Sequence, residues 1–460
     1  MSSPLRQYQT DLINKTRGLM QTGVRNILIQ APTGAGKTLL TAHMLGTAES
    51  KGMTSWFVVH RRELVKQSVA AFAGEGIRCG IVAAGFQEDS KAKVQIASIQ
   101  TLAKRRGRFT SPNLIVFDEC HHIAAGTWAA IYAAYPQAFR IGLTATPERL
   151  DGQGLSDWFQ TIVSGPSVQT LIQQRFLAQY RLFCPPSVNL ASVARRMGDY
   201  AKAELAEAVD KPTITGSALA HYQKLAAGKR ALIFCVSIEH SRHVVAQFIA
   251  AGIQAAHIDG DTDTPNRDGA IRAFSEGRLQ VLSNVDLCGE GFDIPAMEVV
   301  IELRPTQSLA LWLQHCGRGL RSAPGKKECV ILDHAGNAMK HGLPDEDRVW
   351  TLDGRARVKG KSDNPGIKRC PECFAAYFPG KTVCDQCGHV FEASPRVVGQ
   401  KDGELVEVDT EATKRARLRE QGRARTEEEL VALGESRGYK RPRLWARFVL
   451  QHRGQRRAYG

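Results

Sequence analysis

The chain has 460 residues, 43% of them hydrophobic, which is long enough for about three domains and too apolar for a broadly disordered protein. Lysine and arginine outnumber aspartate and glutamate 61 to 46, a formal net charge of +15, which suggests a polyanionic partner, although basic proteins without one are common. No run approaches the ~20 apolar residues that span a bilayer, and the opening Met-Ser-Ser-Pro-Leu-Arg-Gln has no signal-peptide core, so membrane and secreted classes are set aside and a cytoplasmic location is expected.

Short apolar runs recur with helical patterns between them: Asn26 to Gln30, Trp56 to His60, Val94 to Ile99, Leu114 to Asp118 and Ile141 to Leu143. A second series follows after residue 225: Ala231 to Cys235, Ala255 to Ile258, Leu279 to Ser283, Val299 to Glu302 and Cys329 to Asp333. Strands alternating with helices predict parallel sheets covered on both faces, here two α/β domains in tandem. Between them Cys184-Pro185-Pro186 marks a break. The stretch from Ala191 to Ala227 reads as a largely helical connector interrupted at Lys211-Pro212. Past His341 the composition turns polar and glycine-rich, a linker into a cysteine module, and from Thr410 onward the chain is charged and helical in pattern.

After the first run comes Ala31-Pro32-Thr33-Gly34-Ala35-Gly36-Lys37-Thr38, leading into the helical Leu39 to Leu45. Strand, glycine turn and helix form the context of a phosphate-binding loop. Its glycines let backbone N–H groups face phosphate oxygens, Lys37 reaches the β and γ phosphates, and Thr38 holds Mg²⁺. Ala31 stands where the general pattern has its first glycine. The apolar Leu114 to Phe117 ends in Asp118-Glu119-Cys120-His121, and an acid at the C-terminal end of a parallel strand lies where such sheets place their chemistry. Asp118 is expected to bind Mg²⁺ through water and Glu119 to orient and deprotonate the attacking water.

Together these residues resemble superfamily 2 helicases of the DEAD/DEAH-box class over nearly all of positions 5 to 340. The resemblance implies motif I at Thr33 to Thr38 with Lys37, motif II at Asp118 to His121, and motif III at Thr144-Ala145-Thr146. Arg6 to Gln9 is similar to the adenine-reading element, with Gln9 as base contact; His60 to Leu64, with Arg61 and Arg62, and Ser98 to Thr101, with Thr101, look like elements that hold a nucleic-acid backbone. Asn284 to Asp293 resembles motif V, which implies that Gly291 and Asp293 face the nucleotide. Gln314 to Arg321 resembles motif VI, where the arginine finger maps onto Arg321 with Arg318 beside it. His121, Thr144, Thr146 and Gln314 are then the residues expected to couple hydrolysis to movement. An arginine supplied from a second domain stabilises a loose phosphoryl-transfer transition state, worth roughly 10³ to 10⁵ in rate.

Of the 11 cysteines, four form Cys370-x₂-Cys373 and Cys384-x₂-Cys387 separated by ten residues, a spacing that brings four thiolates around one Zn²⁺ at ~2.3 Å. Two disulfides or free thiols are the alternatives, disfavoured by the spacing in an intracellular setting. From Arg437 to Gly460 there are eight Lys or Arg and no acid, with Tyr439, Trp445, Phe448 and Tyr459 interleaved. That composition suits phosphate contact and base stacking, while Trp445, Phe448 and Leu444 equally suit the buried face of a short helix. The whole layout looks most like the bacterial RadD group of DNA-repair ATPases and prophage relatives. The cues are Arg304-Pro305-Thr306, Leu332 to Asn337 and the cysteine ribbon.

The expectation is therefore an α/β chain: RecA-like motor domains at 1–175 and 176–345, linker and zinc ribbon at 346–400, and a basic helical tail at 401–460. Its expected function is a nucleic-acid-stimulated ATPase using ATP, Mg²⁺ and Zn²⁺, a DNA helicase or translocase in repair, recombination or phage replication, on single-stranded or branched DNA and with a repair or replication protein as a further partner. The alternatives are an RNA helicase, or an ATP-controlled clamp that does not separate strands.

Overall fold

The computed structural model describes residues 4–149, 152–186, 193–196, 199–210, 212–287, 294, 296–353, 366–391, 410–439 and 441–457. The chain divides into two compact units, residues 1–392 and 393–460.

The first unit opens with seven strands: β1 (Asn26–Gln30), β2 (Ser55–Val59), β3 (Cys79–Val82), β4 (Val94–Ser98), β5 (Leu114–Phe117), β6 (Phe139–Thr144) and β7 (Thr161–Ser164). They form one parallel sheet in the order β3-β4-β2-β5-β6-β1-β7. Its central strands are buried throughout because helices cover both faces, which is why they read as unbroken apolar runs. Core clusters lie on each face, one around Ile29, Phe57 and Phe72, the other around Leu28, Trp56 and Phe117. The order β5-β6-β1 has a chemical consequence: Gln30 pairs with Thr144, and Phe117 with Gly142. The chain segments leaving these three strands therefore emerge side by side at one sheet edge.

Next come β8 (Gln179–Phe183), the two-residue hairpin β9 (Arg195–Arg196) and β10 (Asp199–Tyr200), then β11 (Ala231–Phe234), β12 (Ala255–Ile258), β13 (Val281–Asn284), β14 (Val299–Glu302) and β15 (Glu328–Asp333). The second sheet, parallel throughout, runs β12-β13-β11-β14-β15-β8. All ten apolar runs of the sequence are strands, with shifts of up to two residues at their ends. The connector carries helices Lys202–Val209 and Pro212–Ala226. Proline opens the second of these, at a position where its missing N–H costs nothing. Asp199 ties the hairpin to the second sheet by accepting from Thr306 Oγ1 at 2.8 Å and Gln307 N at 2.7 Å.

Two segments of the expected linker and ribbon lie against the sheets. The backbone carbonyl of Leu352 accepts from Leu155 N at 2.7 Å and Ser156 N at 3.0 Å, and its side chain joins the first sheet's core while Trp350 packs against the second's. Residues 343–353 are thus a strap pinned by two apolar anchors. The cysteine ribbon, with strands β16 (Lys368–Arg369) and β17 (Ala376–Tyr377), docks on β8. Phe183 bridges to Ala375, Cys184 N donates to Phe374 O at 2.8 Å, and Cys370, Ala375, Cys384 and Phe391 share a core with Phe183, Tyr222 and Phe248. Burying those side chains removes them from water, and so welds the ribbon to the sheet.

The second unit contains helices Thr410–Arg423, Glu427–Ser436 and Pro442–Arg457. Thr426 and Glu429 form a capping box at the middle helix, and Leu430, Ala446 and Val449 are its buried core. Among the described residues no helix is long and apolar enough to cross a membrane.

Candidate nucleotide site between the two sheets

The loop leaving β1 turns through Gly34 (φ +86°) and Gly36 (φ +76°) into the helix Lys37–Ser50. Both positions demand glycine: a Cβ on Gly34 would stand 2.7 Å from Leu177 Cδ2, and one on Gly36 2.6 Å from Gln9 Nε2, in a backbone region costly for other residues. The turn leaves the helix's first N–H groups facing the cleft, a ready anion site.

Lys37 Nζ donates to Glu119 Oε1 at 3.4 Å. Asp118 and Glu119 follow the end of β5, and Glu119 itself adopts a left-handed backbone (φ 46°, ψ 52°). That conformation strains a residue with a Cβ and turns the chain sharply as it leaves the sheet. Burial pushes the Glu119 carboxyl up, but Lys37, His121 and Arg318 together outweigh it and hold the group well below the usual carboxylate range. Glu119 is thus ionised throughout the neutral range. Because its folded value is depressed, its stabilising contribution is present above the unfolded value near 4.5 and is lost as pH falls through the folded one. The melting-temperature gap between wild type and Glu119→Gln should therefore be full at pH 7 and narrow below about pH 4.5; a gap constant down to pH 3 would contradict this electrostatic assignment.

Behind Glu119 runs a buried chain of polar contacts. His121 Nδ1 lies 3.4 Å from Glu119 Oε2 and 3.4 Å from Thr144 Oγ1. The Thr144 hydroxyl donates to Thr146 O at 2.8 Å and accepts from Thr146 N at 3.1 Å. With that proton committed, Thr144 can only accept from His121, which places the imidazole proton on Nδ1. Gln30 closes the row by donating to Ala145 O at 3.0 Å.

The opposite wall comes from the second sheet. The helix Leu309–Gly319 carries Arg318, and Arg321 follows it; both line the same 440 Å³ cleft as Arg6, Thr33, Gly34, Gly36, Lys37, Thr38, Asp118 and Glu119. The two walls are in close contact, since a Cβ on Gly317 would stand 2.5 Å from Thr33 Cβ. Lys326 Nζ donates to Gly319 O at 2.5 Å and Arg321 O at 2.9 Å, capping the helix end that presents the arginines.

Behind that helix, His315 Nδ1 and Glu302 Oε1 are 2.7 Å apart, with the imidazole stacked on Phe234 at 3.6 Å. Burial pushes Glu302 well above its ordinary value and His315 well below its own, so the pair is a neutral hydrogen-bonded couple. Asn337 Nδ2 reaches Glu302 Oε2 at 3.4 Å and Arg304 O at 2.9 Å. This platform was not expected from the sequence.

At the mouth, Arg6 lies over the Phe176 ring at 4.2 Å and donates to Tyr8 Oη at 3.0 Å. Tyr8 Oη donates to Ala35 O at 2.8 Å. Gln9 is buried, with Nε2 donating to Ala35 O at 3.1 Å and Gly36 O at 3.3 Å, while its Oε1 accepts from Arg6 N at 2.9 Å. Its carboxamide is therefore bound to the phosphate loop itself. Gln314 is buried on the Leu309–Gly319 helix and is not on the cleft wall.

The residues expected to meet a nucleic-acid backbone fall into two groups. Arg61 crosses between the sheets, donating to Asp286 O at 3.1 Å and Leu287 O at 3.2 Å, and Asp286 is in turn bonded to Arg304. Arg62 lies over the Phe86 ring at 5.4 Å, and Thr101 N donates to Ser98 Oγ at 3.4 Å as a helix cap. Gly291 and Asp293 lie outside the described residues.

In the ribbon, Cys370, Cys373, Cys384 and Cys387 present sulfurs all within 4.8 Å of one another. The Cys370–Cys387 and Cys373–Cys384 sulfurs are 3.6 and 3.5 Å apart, well beyond a disulfide's ~2.05 Å. They are close to the ~3.8 Å expected between thiolates placed tetrahedrally at ~2.3 Å from one ion.

Comparison with known proteins agrees with this layout. Residues 2–149 match the family model described as type III restriction enzyme, res subunit, and residues 214–323 match the helicase conserved C-terminal domain. A 51.5 kDa protein of Lactococcus phage (isolate 7-9) is 34% identical over 366 residues, 79% of this chain and 78% of that protein. IRC3 of Saccharomyces cerevisiae, named as a candidate ATP-dependent helicase, is 29% identical over 72% of this chain, which spans only 51% of the yeast protein. Among solved structures, a fragment of a candidate HsdR subunit of a type I restriction enzyme from Vibrio vulnificus YJ016 superposes with a TM-score of 0.59 at 22% identity, covering 76% of this chain and 67% of that one; this likeness speaks to fold alone. With two RecA-like sheets sharing one cleft and both halves matched by these models, the chain belongs to the superfamily 2 helicases and is an ATPase of that class.

Proposed function

We propose that the chain is an ATP-dependent DNA helicase or translocase that couples hydrolysis in the cleft to movement on, or remodelling of, single-stranded or branched DNA. The observation that carries this is the composite cleft, with Lys37, Asp118 and Glu119 on one wall and Arg318 and Arg321 on the other. DNA is favoured over RNA because the model matching the first sheet describes a restriction enzyme subunit. The resemblance to the RadD group supports work in DNA repair, recombination or phage replication in the cytoplasm.

In this mechanism residues 1–175 hold the nucleotide and 176–345 close on it. Backbone N–H groups of Gly34 to Thr38 and the Lys37 ammonium would hold the β and γ phosphates, and Thr38 and Asp118 would hold Mg²⁺, which would supply charge neutralisation there. Glu119, ionised at neutral pH, orients water and accepts its proton. Arg321 and Arg318 meet charge developing on the transferred phosphoryl group. Loss of the γ phosphate relaxes the clamp, and the row from Glu119 through His121 to Thr144 and Thr146 carries that change toward the strands. Arg61, held on Asp286 and Leu287 carbonyls, exchanges those acceptors for DNA phosphates.

Strand displacement from forked DNA, measured beside ATP hydrolysis in the same samples, tests this reading. Displacement that tracks hydrolysis is the predicted result. Hydrolysis stimulated by DNA without displacement or translocation would instead identify an ATP-controlled clamp, and stimulation chiefly by RNA would identify an RNA helicase.

The four thiolates are proposed to hold one structural Zn²⁺, whose closed coordination leaves no catalytic position. Because the ribbon shares the second sheet's core, Cys370→Ser should abolish a stoichiometric zinc content by elemental analysis and lower the melting temperature by about 10 °C. Unchanged melting in a protein that carries no zinc would refute a structural metal.

A further inference from the structure

The strap at residues 343–353 runs from the second sheet back to the first, and its two ends are held with unequal strength. Several polar contacts fix the second-sheet end. Trp312 Nε1 donates to Gly342 O at 3.0 Å, Arg348 Nη2 donates to His341 O at 3.0 Å and Leu343 O at 2.9 Å, and Tyr180 Oη donates to Asp345. Leu343 is buried in that sheet's core, and Trp350 packs against it. At the first-sheet end the Leu352 carbonyl accepts from Leu155 N and Ser156 N, and its half-buried side chain lies against the cluster that contains Leu155 and Phe159. Two backbone hydrogen bonds, each largely offset by the water it displaces, and one leucine make the weaker grip, the one that local opening releases first.

The strap lies beside the place where the two walls of the nucleotide cleft meet. Thr33 lines the cleft and also a second cavity of 300 Å³, bounded by Leu313 and Gly317 of the helix Leu309–Gly319 and by Pro344, Arg348 and Trp350 of the strap. That helix carries Arg318, and Arg321 follows it, so whatever keeps the helix against the phosphate loop keeps both arginines opposite Lys37 and Glu119. Between Arg348 and Leu352 stand Val349, Trp350 and Thr351, a stretch that reaches only ~14 Å at full extension. With both ends engaged the sheets cannot part widely, and with the Leu352 end free they can. Because Leu352 makes its contacts across the two sheets, their energy bears on the separation of the walls more than on the folding of either sheet.

We propose that the strap is a releasable latch that positions the arginines. Engaged, it holds the second-sheet wall against the phosphate loop before any nucleic acid binds; released at Leu352, it lets the walls part for nucleotide exchange. On the motor reading, on which this inference rests, a strand gripped by both sheets supplies the same restraint, so the latch matters most when DNA is absent. A ligand's apparent affinity falls with the fraction of chains in the competent, closed state. Weakening the latch therefore lowers kcat/KM for ATP without nucleic acid and spares the DNA-saturated value, so that stimulation by DNA rises because basal hydrolysis falls.

The test measures kcat/KM for ATP in the full chain with and without saturating single-stranded DNA, beside the radius of gyration of the nucleotide-free protein by small-angle X-ray scattering. Two variants weaken the latch by different means. Leu352→Ala removes the apolar anchor, whereas a Gly-Gly-Ser insertion after the exposed Thr351 keeps both anchors and adds slack between them. Each is expected to lower kcat/KM without nucleic acid about tenfold, to hold the DNA-saturated value within about twofold of wild type, and to enlarge the radius of gyration. Leu352→Met, close to leucine in volume, should behave as wild type. If Leu352→Ala melts below the assay temperature, the insertion alone decides. Wild-type kcat/KM without DNA and a wild-type radius of gyration in the insertion variant would overturn the latch, as would a loss of equal size with and without DNA. A wild-type chain whose hydrolysis ignores DNA would overturn the motor reading instead, while the variants' values without nucleic acid still decide the latch.

Discussion

Lys37→Ala is expected to lower kcat for ATP by at least about 10³ while single-stranded DNA binding stays within about threefold of wild type. Two effects combine. The substitution removes the ammonium that would sit on the β and γ phosphates as a point charge. It also removes the leading cation that holds Glu119 ionised, because Lys37 is the main influence opposing that carboxyl's burial. Glu119 then becomes easier to protonate and poorer at accepting a proton from water. Lys37 belongs to neither core cluster of the first sheet, so melting should change little. Turnover above about a tenth of wild type, or loss of DNA binding in a folded variant, would count against these roles.

Arg321→Ala should cost about 10³ to 10⁵ in kcat with a smaller change in KM, because the guanidinium acts on charge that develops only in the transition state. The local backbone should survive: Arg321 joins Leu177 through a main-chain bridge, and Ala178 N donates to Leu320 O at 2.7 Å. Arg321→Lys should recover only part of the loss, since a lysine lacks the planar fork that spans two phosphoryl oxygens. Arg318 is a less clean target, being 7% exposed and one of the cations acting on Glu119. Steady-state kinetics of the two Arg321 variants, with circular dichroism to confirm folding, decide the matter. Near-wild-type kcat in Arg321→Ala would remove the second sheet from the reaction.

The half of the cleft built by the first sheet was legible because its backbone leaves little choice. A turn with two residues at positive φ demands glycine, and the Asp118-Glu119 pair ending a strand gained its meaning from following that phosphate loop. The central strands were legible for the same reason, being buried on both faces. The edge strands β3, β7 and β8 were not: each is four or five residues long and partly exposed, so no continuous apolar run marks it. The Glu302–His315 couple gave no signal because an acid ending a strand and a histidine thirteen residues later carry no shared pattern. Residues 343–353 looked like a linker since Trp350 and Leu352 are isolated anchors in polar sequence. The ribbon's spacing announced its four thiols, whereas its docking depends on Phe183 and Cys184, far away along the chain. In the tail, composition could not separate Trp445, which packs inward, from Leu444 and Phe448, which are exposed; only helix phase divides them.

On the proposed reading, this cleft hydrolyses ATP in response to DNA. ATP hydrolysis by the purified chain at fixed salt, without nucleic acid and with single-stranded DNA, duplex DNA, forked DNA or single-stranded RNA, tests it most directly. Slow basal turnover and at least tenfold stimulation by single-stranded or forked DNA, exceeding that by RNA, are expected. Hydrolysis indifferent to every nucleic acid would contradict it and make a protein the activator.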